Sequence, residues 1–343
     1  GMKVFVGLSG GVDSSVSAAL LQERGFDVVG CFIKIWQPEF TECTWREDRL
    51  DAMRVAASLG IPFKEIDLSE AYKQEVVAEM IREYEAGRTP NPDVLCNRTI
   101  KFGAFAKWAF DNGADRVATG HYARVHEDNG RTSLLRGIDR GKDQSYFLWQ
   151  LRAEELSKIM FPVGDMPKAE VRRHAERFNL PVAKKPDSQG LCFVGNVTIP
   201  EFLSKYIVLT PGTVQNEKGD EIGTHTGASA YTIGQRHGFT VPGAESPLYV
   251  VATRVEDNTI TVSSDTNAAL KSSLLVPTIH WIHEPTFPHD VQIQARYHEK
   301  PVHAQIHKND TYTVTLSEPH ILASGQSAVI YNGDTVLGGF IVP

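Results

Sequence analysis

Cysteine is scarce in this chain, and so are long apolar runs. Four cysteines, Cys31, Cys43, Cys96 and Cys192, are scattered through 343 residues. That number and spacing exclude a disulfide scaffold, and no pair has the C-x-x-C spacing of a zinc or redox motif. In a reducing compartment they are expected to be thiols, unless a reaction cycle couples two of them. No stretch approaches the ~20 apolar residues that span a bilayer, and the N-terminus lacks the basic, apolar and small-residue order of an export signal. A cytoplasmic protein with no membrane partner is therefore expected. Repeats and low-complexity tracts are missing as well. Positive charge is not in surplus, the formal net charge being −7. Nucleic-acid binding then needs a local basic face. Lys168, Arg172, Arg173, His174, Arg177, Lys184 and Lys185 offer one, with a solvated helix face as the plain alternative.

What is present is ordinary globular composition, 41% hydrophobic and 22% charged, in a chain long enough for two or three cores. Strands are expected at 4–8, 28–33, 63–66 and 116–119, and helices at 14–24, 46–59, 69–86 and 101–112, with Ser69 capping the third helix. This order predicts an α/β fold, a parallel sheet with helices on both faces and a ligand crevice at the strand C-terminal ends. After about Lys205 the helical period disappears, and Pro211-Gly212, Lys218-Gly219-Asp220 and Pro242-Gly243 punctuate short segments. From about Ser273 alternation takes over. Val291, Ile293, Ala295 and Tyr297 are expected on one face and Gln292, Gln294, Arg296 and His298 on the other; Tyr312, Val314 and Leu316 repeat the pattern. Asn332-Gly333-Asp334 reads as a hairpin turn, and an antiparallel β-barrel closes such strands without leaving edges. The expected division is an α/β domain over 1–207, a small mostly-β central domain over 208–272 and a C-terminal β-barrel over 273–343.

The sharpest local signal is Ser9-Gly10-Gly11-Val12-Asp13-Ser14-Ser15, placed between the first strand and the first helix. Glycines let the backbone approach an anion, and the helix start adds unpaired N–H groups and a positive dipole end. Ser9, Ser14 and Ser15 can add hydroxyl donors. The string is a phosphate cradle, but it lacks both the Gly-Lys-Ser/Thr ending of a Walker loop and the G-x-G-x-x-G of a dinucleotide site. Asp13 beside phosphate suggests an intervening Mg²⁺. The plain alternative is a turn that closes a βα unit. The string resembles the pyrophosphate loop of the ATP pyrophosphatases, which cleave ATP between its α and β phosphates and adenylate an oxygen of their substrate.

Two further segments narrow the acceptor. Gly87-Arg88-Thr89-Pro90-Asn91-Pro92-Asp93-Val94-Leu95-Cys96-Asn97 carries two prolines, which are expected to stiffen a loop that presents Asp93 and Cys96. Asp187-Ser188-Gln189-Gly190-Leu191-Cys192-Phe193-Val194-Gly195 presents the second cysteine. A lone cysteine is usually a small buried hydrophobe, and Cys31, inside an apolar strand, keeps that reading. Two cysteines in polar Pro/Gly-rich segments point to chemistry instead. Together these motifs resemble the bacterial tRNA-specific 2-thiouridylases. Further matches are Ala118-Thr119-Gly120-His121-Tyr122, Lys142-Asp143-Gln144-Ser145-Tyr146-Phe147-Leu148, Phe161-Pro162-Val163-Gly164, Thr232-Ile233-Gly234-Gln235-Arg236, Ala295-Arg296-Tyr297 and Gly325-Gln326-Ser327-Ala328-Val329.

The resemblance implies an N-terminal domain of the ATP pyrophosphatase (adenine nucleotide alpha hydrolase-like) type and 2-thiolation of the wobble uridine, position 34. It implies ATP and Mg²⁺, the metal near Asp13, with ATP contacts from Gly7, Leu8, Ser9, Gly10, Gly11, Val12, Asp13, Ser14, Ile33 and Gly120. Cys192 would carry a persulfide and Cys96 would either attack it or help release hydrogen sulfide, with Asp93 as acid/base. Asn91, Pro92 and Asp93 would hold the target base, and His121, Lys142, Asp143, Gln144, Arg296, Tyr297 and Gln326 would meet tRNA. For His121 and Tyr122 the plain alternative is a satisfied structural pair. The implied partners are the tRNAs for Lys, Glu and Gln and a sulfur-relay or cysteine desulfurase donor, with the enzyme as a monomer. The chain departs from the pattern at Ile33, where the family often has methionine, and over 37–46, which leaves the role of Cys43 open. An amide-forming ligase of the GMP or NAD synthetase type explains the glycine loop but gives Cys96 and Cys192 no task. A non-catalytic RNA-binding protein has no need of Asp13.

Overall fold

The structure, a computed structural model, describes residues 1–40, 45–187 and 197–343. Cys43, Cys192 and the rest of the second cysteine segment beyond Asp187 lie outside the described residues. In chain order the strands are β1 (Lys3–Gly7), β2 (Asp27–Lys34), β3 (Phe63–Asp67), β4 (Arg116–Ala118), β5 (Ala123–Asp128), β6 (Arg131–Arg136) and β7 (Ile159–Met160). There follow β8 (Gly212–Gln215), β9 (Glu221–His225), β10 (Phe239–Thr240), β11 (Tyr249–Arg254) and β12 (Thr259–Ser263). The last group is β13 (Leu270–Val276), β14 (His280–Trp281), β15 (His289–Gln294), β16 (Val302–Lys308), β17 (Tyr312–Ile321), β18 (Ser327–Asn332) and β19 (Thr335–Ile341).

The first sheet runs β3-β2-β1-β4-β7, every pairing parallel. Its inner strands β1, β2 and β4 are buried on both faces, as a parallel sheet between helices requires, while the edge strand β3 is largely exposed. Val4 and Val6 face one core with Leu21, Val55 and Val171, and Phe5 faces the other with Phe105, Val117 and Trp149. Cys31 sits in that second core, fully buried. Burial pushes its thiol up to about 12, which leaves it a packing residue.

Two helix boundaries differ from the sequence expectation. The helix at 69 does begin there, but the Asp67 carboxylate, not the Ser69 hydroxyl, serves its start, accepting from the Ser69 N–H at 2.9 Å. The helix expected at 101–112 begins at Pro92 and continues through a π-type stretch, Asn97–Ala104, to Asp111. Proline is tolerated at the first helical position, where its missing N–H has no partner to lose. Asp93 and Cys96 therefore stand on a helix and not on a loop.

The central strands form a sheet β10-β9-β8-β12-β11, antiparallel except for β8 beside β12. The C-terminal strands run β13-β17-β16-β15-β18-β19. The chain leaves β13 directly into β14, which pairs with β19, so the sheet curls back on itself. Its interior is Val291, Ile293, Ile306, Val314, Ile330 and Phe340. The expected alternation at 291–298 holds through Ala295, which shares the interior with Val291 and Ile293, and ends in the turn that follows β15. An unanticipated hairpin, β5 and β6, leaves the first domain and joins this sheet through Leu134 opposite Val336. No described helix is long and apolar enough to cross a membrane.

Candidate active site

β1 delivers the chain into the glycine loop at the C-terminal edge of the parallel sheet, and α1 (Val12–Glu23) leaves it. Gly10 has φ +85, and a Cβ there would lie 2.6 Å from the Asp48 carbonyl oxygen, so this position admits glycine only. Gly120 presses on the other side of α1, where a Cβ would come within 2.6 Å of the Ser14 nitrogen. No side chain caps α1, so its first-turn N–H groups face the loop as an anion site. The Ser9 and Ser14 hydroxyls lie 3.2 Å apart beside it. Ser15, by contrast, turns its hydroxyl to the Gly11 carbonyl at 2.6 Å. Ile33 lies beside Gly7, its Cδ1 3.9 Å from where a Cβ on that glycine would stand. These residues fit a nucleotide phosphate chain with an apolar wall at the β1–β2 edge.

At Asp13, where the resemblance implies a Mg²⁺ nearby, the carboxylate has protein partners of its own. Asp13 Oδ1 accepts from the Tyr122 hydroxyl at 2.6 Å and from Lys168 Nζ at 2.5 Å. The ammonium balances the Asp13 charge within the protein. Among the described residues no group of three or more His, Cys, Asp or Glu is arranged for a metal ion. Lys168 also meets Asp187 at 2.7 Å, and Lys142 Nζ reaches Asp187 at 3.1 Å. Arg172 donates to the Lys185 carbonyl at 2.8 Å, and Lys185 pairs with Asp48 and Asp51. Much of the basic face is thus consumed inside the protein, and it is this internal role that sequence reasoning missed. Lys168 follows a proline and opens a helix, Lys168–Arg177, a signal that could have separated it from a solvated face.

The Pro92 helix supplies the second half of the site. Asp93 and Cys96 are three residues apart on it and so share one face. Burial holds the Asp93 carboxyl above the ordinary carboxylate range, with the nearby Lys101 charge pulling the other way. Cys96, partly buried, packs against the same cluster that Ile33 borders. Asn97 anchors the helix by donating to the Phe147 carbonyl at 3.0 Å. The Tyr297 ring packs tilted against Phe147 and His298, with centroids 4.4 Å and 3.8 Å away. Its hydroxyl is pushed up to about 12 by burial and by the Asp143 and Asp93 carboxylates.

Several residues named for tRNA are inward in this structure. His121 is buried between Phe102 and Phe161, its Nδ1 2.6 Å from the Thr119 hydroxyl; burial drives its pKa well down. It takes the structural alternative. Asp143 is buried and pairs with Arg136 at 3.2 Å. Gln144 accepts from the Tyr122 N–H at 2.9 Å. Gln326 and Asn91 are bonded to each other and to backbone. Lys142 and Arg296 keep their charges at or near the surface.

Three domain models match in sequence: a tRNA methyl transferase HUP domain over 2–196, a tRNA methyl transferase PRC-barrel domain over 200–264 and an aminomethyltransferase beta-barrel domain over 271–342. The tRNA-specific 2-thiouridylase MnmA of Staphylococcus saprophyticus is 44% identical, covering 98% of this chain and 94% of its own length. That of Oceanobacillus iheyensis is 44% identical over the same shares, and that of Geobacillus thermodenitrificans 42% identical over 98% and 93%. Among solved structures, a U34-tRNA thiolase from Methanococcus maripaludis covers 56% of this chain and 61% of its own at 22% identity and TM-score 0.36. A 4-thiouridine synthetase in complex with RNA and ATP covers 60% and 50% at 19% identity and TM-score 0.35. Scores this low carry no argument. The near-complete coverage by close relatives does, and the chain belongs to the tRNA-specific 2-thiouridylase family.

Proposed function

We propose that this protein replaces O2 of the wobble uridine of tRNA by sulfur, at the expense of ATP. Family membership supports the reaction, and one observation supports the assignment of groups: Asp93 and Cys96 share a face of a helix, and Cys96 borders the same apolar cluster as Ile33, the wall of the nucleotide crevice. ATP would supply the activation, turning O2 into a leaving group as AMP, with pyrophosphate released. The N–H groups at the start of α1 and the serine hydroxyls hold the phosphates, and Lys168 neutralises Asp13 so that it does not repel them. The raised pKa of Asp93 suits it to exchange a proton near the base. The target base must be unstacked to expose C2.

Cys192 receives a persulfide from a donor protein, and its terminal sulfur attacks C2 as AMP leaves. Cys96 thiolate then attacks the Cys192 sulfur, closing a disulfide and releasing the thiocarbonyl. The two thiols supply the two electrons that reduce the transferred sulfur, and an external thiol resets the enzyme. In the variant course Cys96 instead frees hydrogen sulfide, which attacks C2. Either course predicts that Cys192→Ser and Cys96→Ser abolish thiolation of unmodified tRNA while ATP affinity stays within about twofold. Undiminished thiolation by either variant removes that cysteine from the chemistry. Methylated in place of thiolated uridine would favour the activity in the domain models' descriptions. The reading extends to tRNAs for Lys, Glu and Gln, to Mg²⁺ brought with ATP, and to a monomer in the cytoplasm.

A further inference from the structure

Asn91 is the N-cap of the Pro92 helix; its carbonyl accepts the first helical bond from the Val94 N–H at 3.1 Å. Asparagine in that place normally turns its side chain onto its own first turn. Here it does not. Asn91 Oδ1 accepts instead from the Ser327 N–H at 2.6 Å, across 236 residues of sequence, and its Nδ2 donates to Gln326 Oε1 at 3.4 Å. Gln326 Nε2 donates in turn to the Thr89 carbonyl at 2.8 Å and to the Pro90 carbonyl at 3.3 Å. The Thr89 N–H donates to the Ser324 carbonyl at 2.9 Å. The central domain adds a hydroxyl contact, Thr89 to Thr232 at 2.7 Å. Gly325, at φ +91, would place a Cβ 2.8 Å from the Thr89 nitrogen, so the fit leaves no room for a side chain. The gripping loop is itself fixed, since Gly325 N–H and Gln326 carbonyl both pair with Val342 at 2.9 Å.

A local rule is broken at Asn91 without local gain, which points to a purpose elsewhere. We infer that Asn91 and Gln326 are positioning residues: through them the C-terminal sheet sets where the first turn of the Pro92 helix, and with it Asp93 and Cys96, stands over the nucleotide crevice. The resemblance gives Asn91 to the target base and Gln326 to tRNA; the positioning role inferred here stands beside those contacts and rests on the internal bonds of both amides. The catalytic consequence rests on the sulfur-transfer reading above, whereas the mechanical one does not.

The test compares the full-length protein with Gln326→Ala and Asn91→Asp, the latter keeping the acceptor for the Ser327 N–H. Hydrogen exchange over residues 94–100 in the protein alone should quicken roughly tenfold in Gln326→Ala and less in Asn91→Asp. With ATP, a persulfide donor and tRNA, kcat should fall roughly tenfold in Gln326→Ala with KM for tRNA within about twofold. Should Gln326→Ala not fold, Asn91→Asp carries both readouts. Unchanged exchange over 94–100 overturns the inference, and so does a raised KM for tRNA at unchanged kcat, the result expected of a plain RNA contact. A wild-type protein that thiolates no RNA sinks the sulfur-transfer reading, and exchange alone then decides the clamp.

Discussion

At Asp93 the physical question is what burial does to a carboxylate that has a task. Its pKa is raised, so the folded state holds the proton more tightly than the unfolded chain. The stability it contributes is present at low pH and lost as pH rises through the folded value. At neutral pH folding must either protonate this carboxylate or hold its charge in poor solvent, a cost that asparagine removes. Asp93→Asn should melt above the wild type at pH 7, with a gap that narrows toward pH 4, and should lose thiolation. A gap independent of pH in thermal melts would count against burial as the cause. At this scale the sequence was informative where the chemistry is local. The glycine loop could be read because φ +85 at Gly10 and the start of α1 lie within a few residues of each other. The Lys168 pair with Asp13 could not be read, because 155 residues separate the two side chains.

At the scale of elements, the contact between Gly120 and α1 sets how close the phosphate cradle can sit to the sheet. An added methyl at Gly120 would meet the Ser14 nitrogen at 2.6 Å and the Asp13 carbonyl carbon at 2.8 Å, and backbone cannot swing aside as a side chain can. Gly120→Ala should destabilise the protein by about 1–3 kcal/mol and weaken ATP binding roughly tenfold by displacing α1. Equilibrium nucleotide binding beside a thermal melt checks both, and unaltered ATP affinity would contradict the packing account. Element types followed from period: alternation marked Tyr312, Val314 and Leu316 as a strand, with Val314 and Leu316 buried. The start of the Pro92 helix was misread because proline was taken only as a breaker, although it fits the first turn. The hairpin of β5 and β6 had a local signal that went unread, the Asn129-Gly130 turn with both residues at positive φ; its docking on β19, about two hundred residues later, has no local record.

Across the whole molecule the three parts are less separate than the sequence division at 207 and 272 suggests. Leu134, Tyr146, Tyr331 and Val336 share one core with Phe5 and Val117, so the first sheet and the C-terminal sheet are packed as one body there. Each large apolar side chain fully buried in that seam contributes about 1.5–3 kcal/mol. We therefore propose the division as one of sequence modules that fold together. This union is what the proposed positioning of Asp93 and Cys96 by the far end of the chain requires. The central claim is that ATP cleavage and sulfur insertion are one coupled event on tRNA. The most direct measurement incubates the protein with ATP, Mg²⁺, a persulfide donor and unmodified tRNA, then quantifies AMP and the nucleosides of the digested RNA. The account predicts AMP and 2-thiouridine in equal amounts, both dependent on tRNA; AMP formed at the same rate without tRNA, or without any thiolated nucleoside, would contradict it.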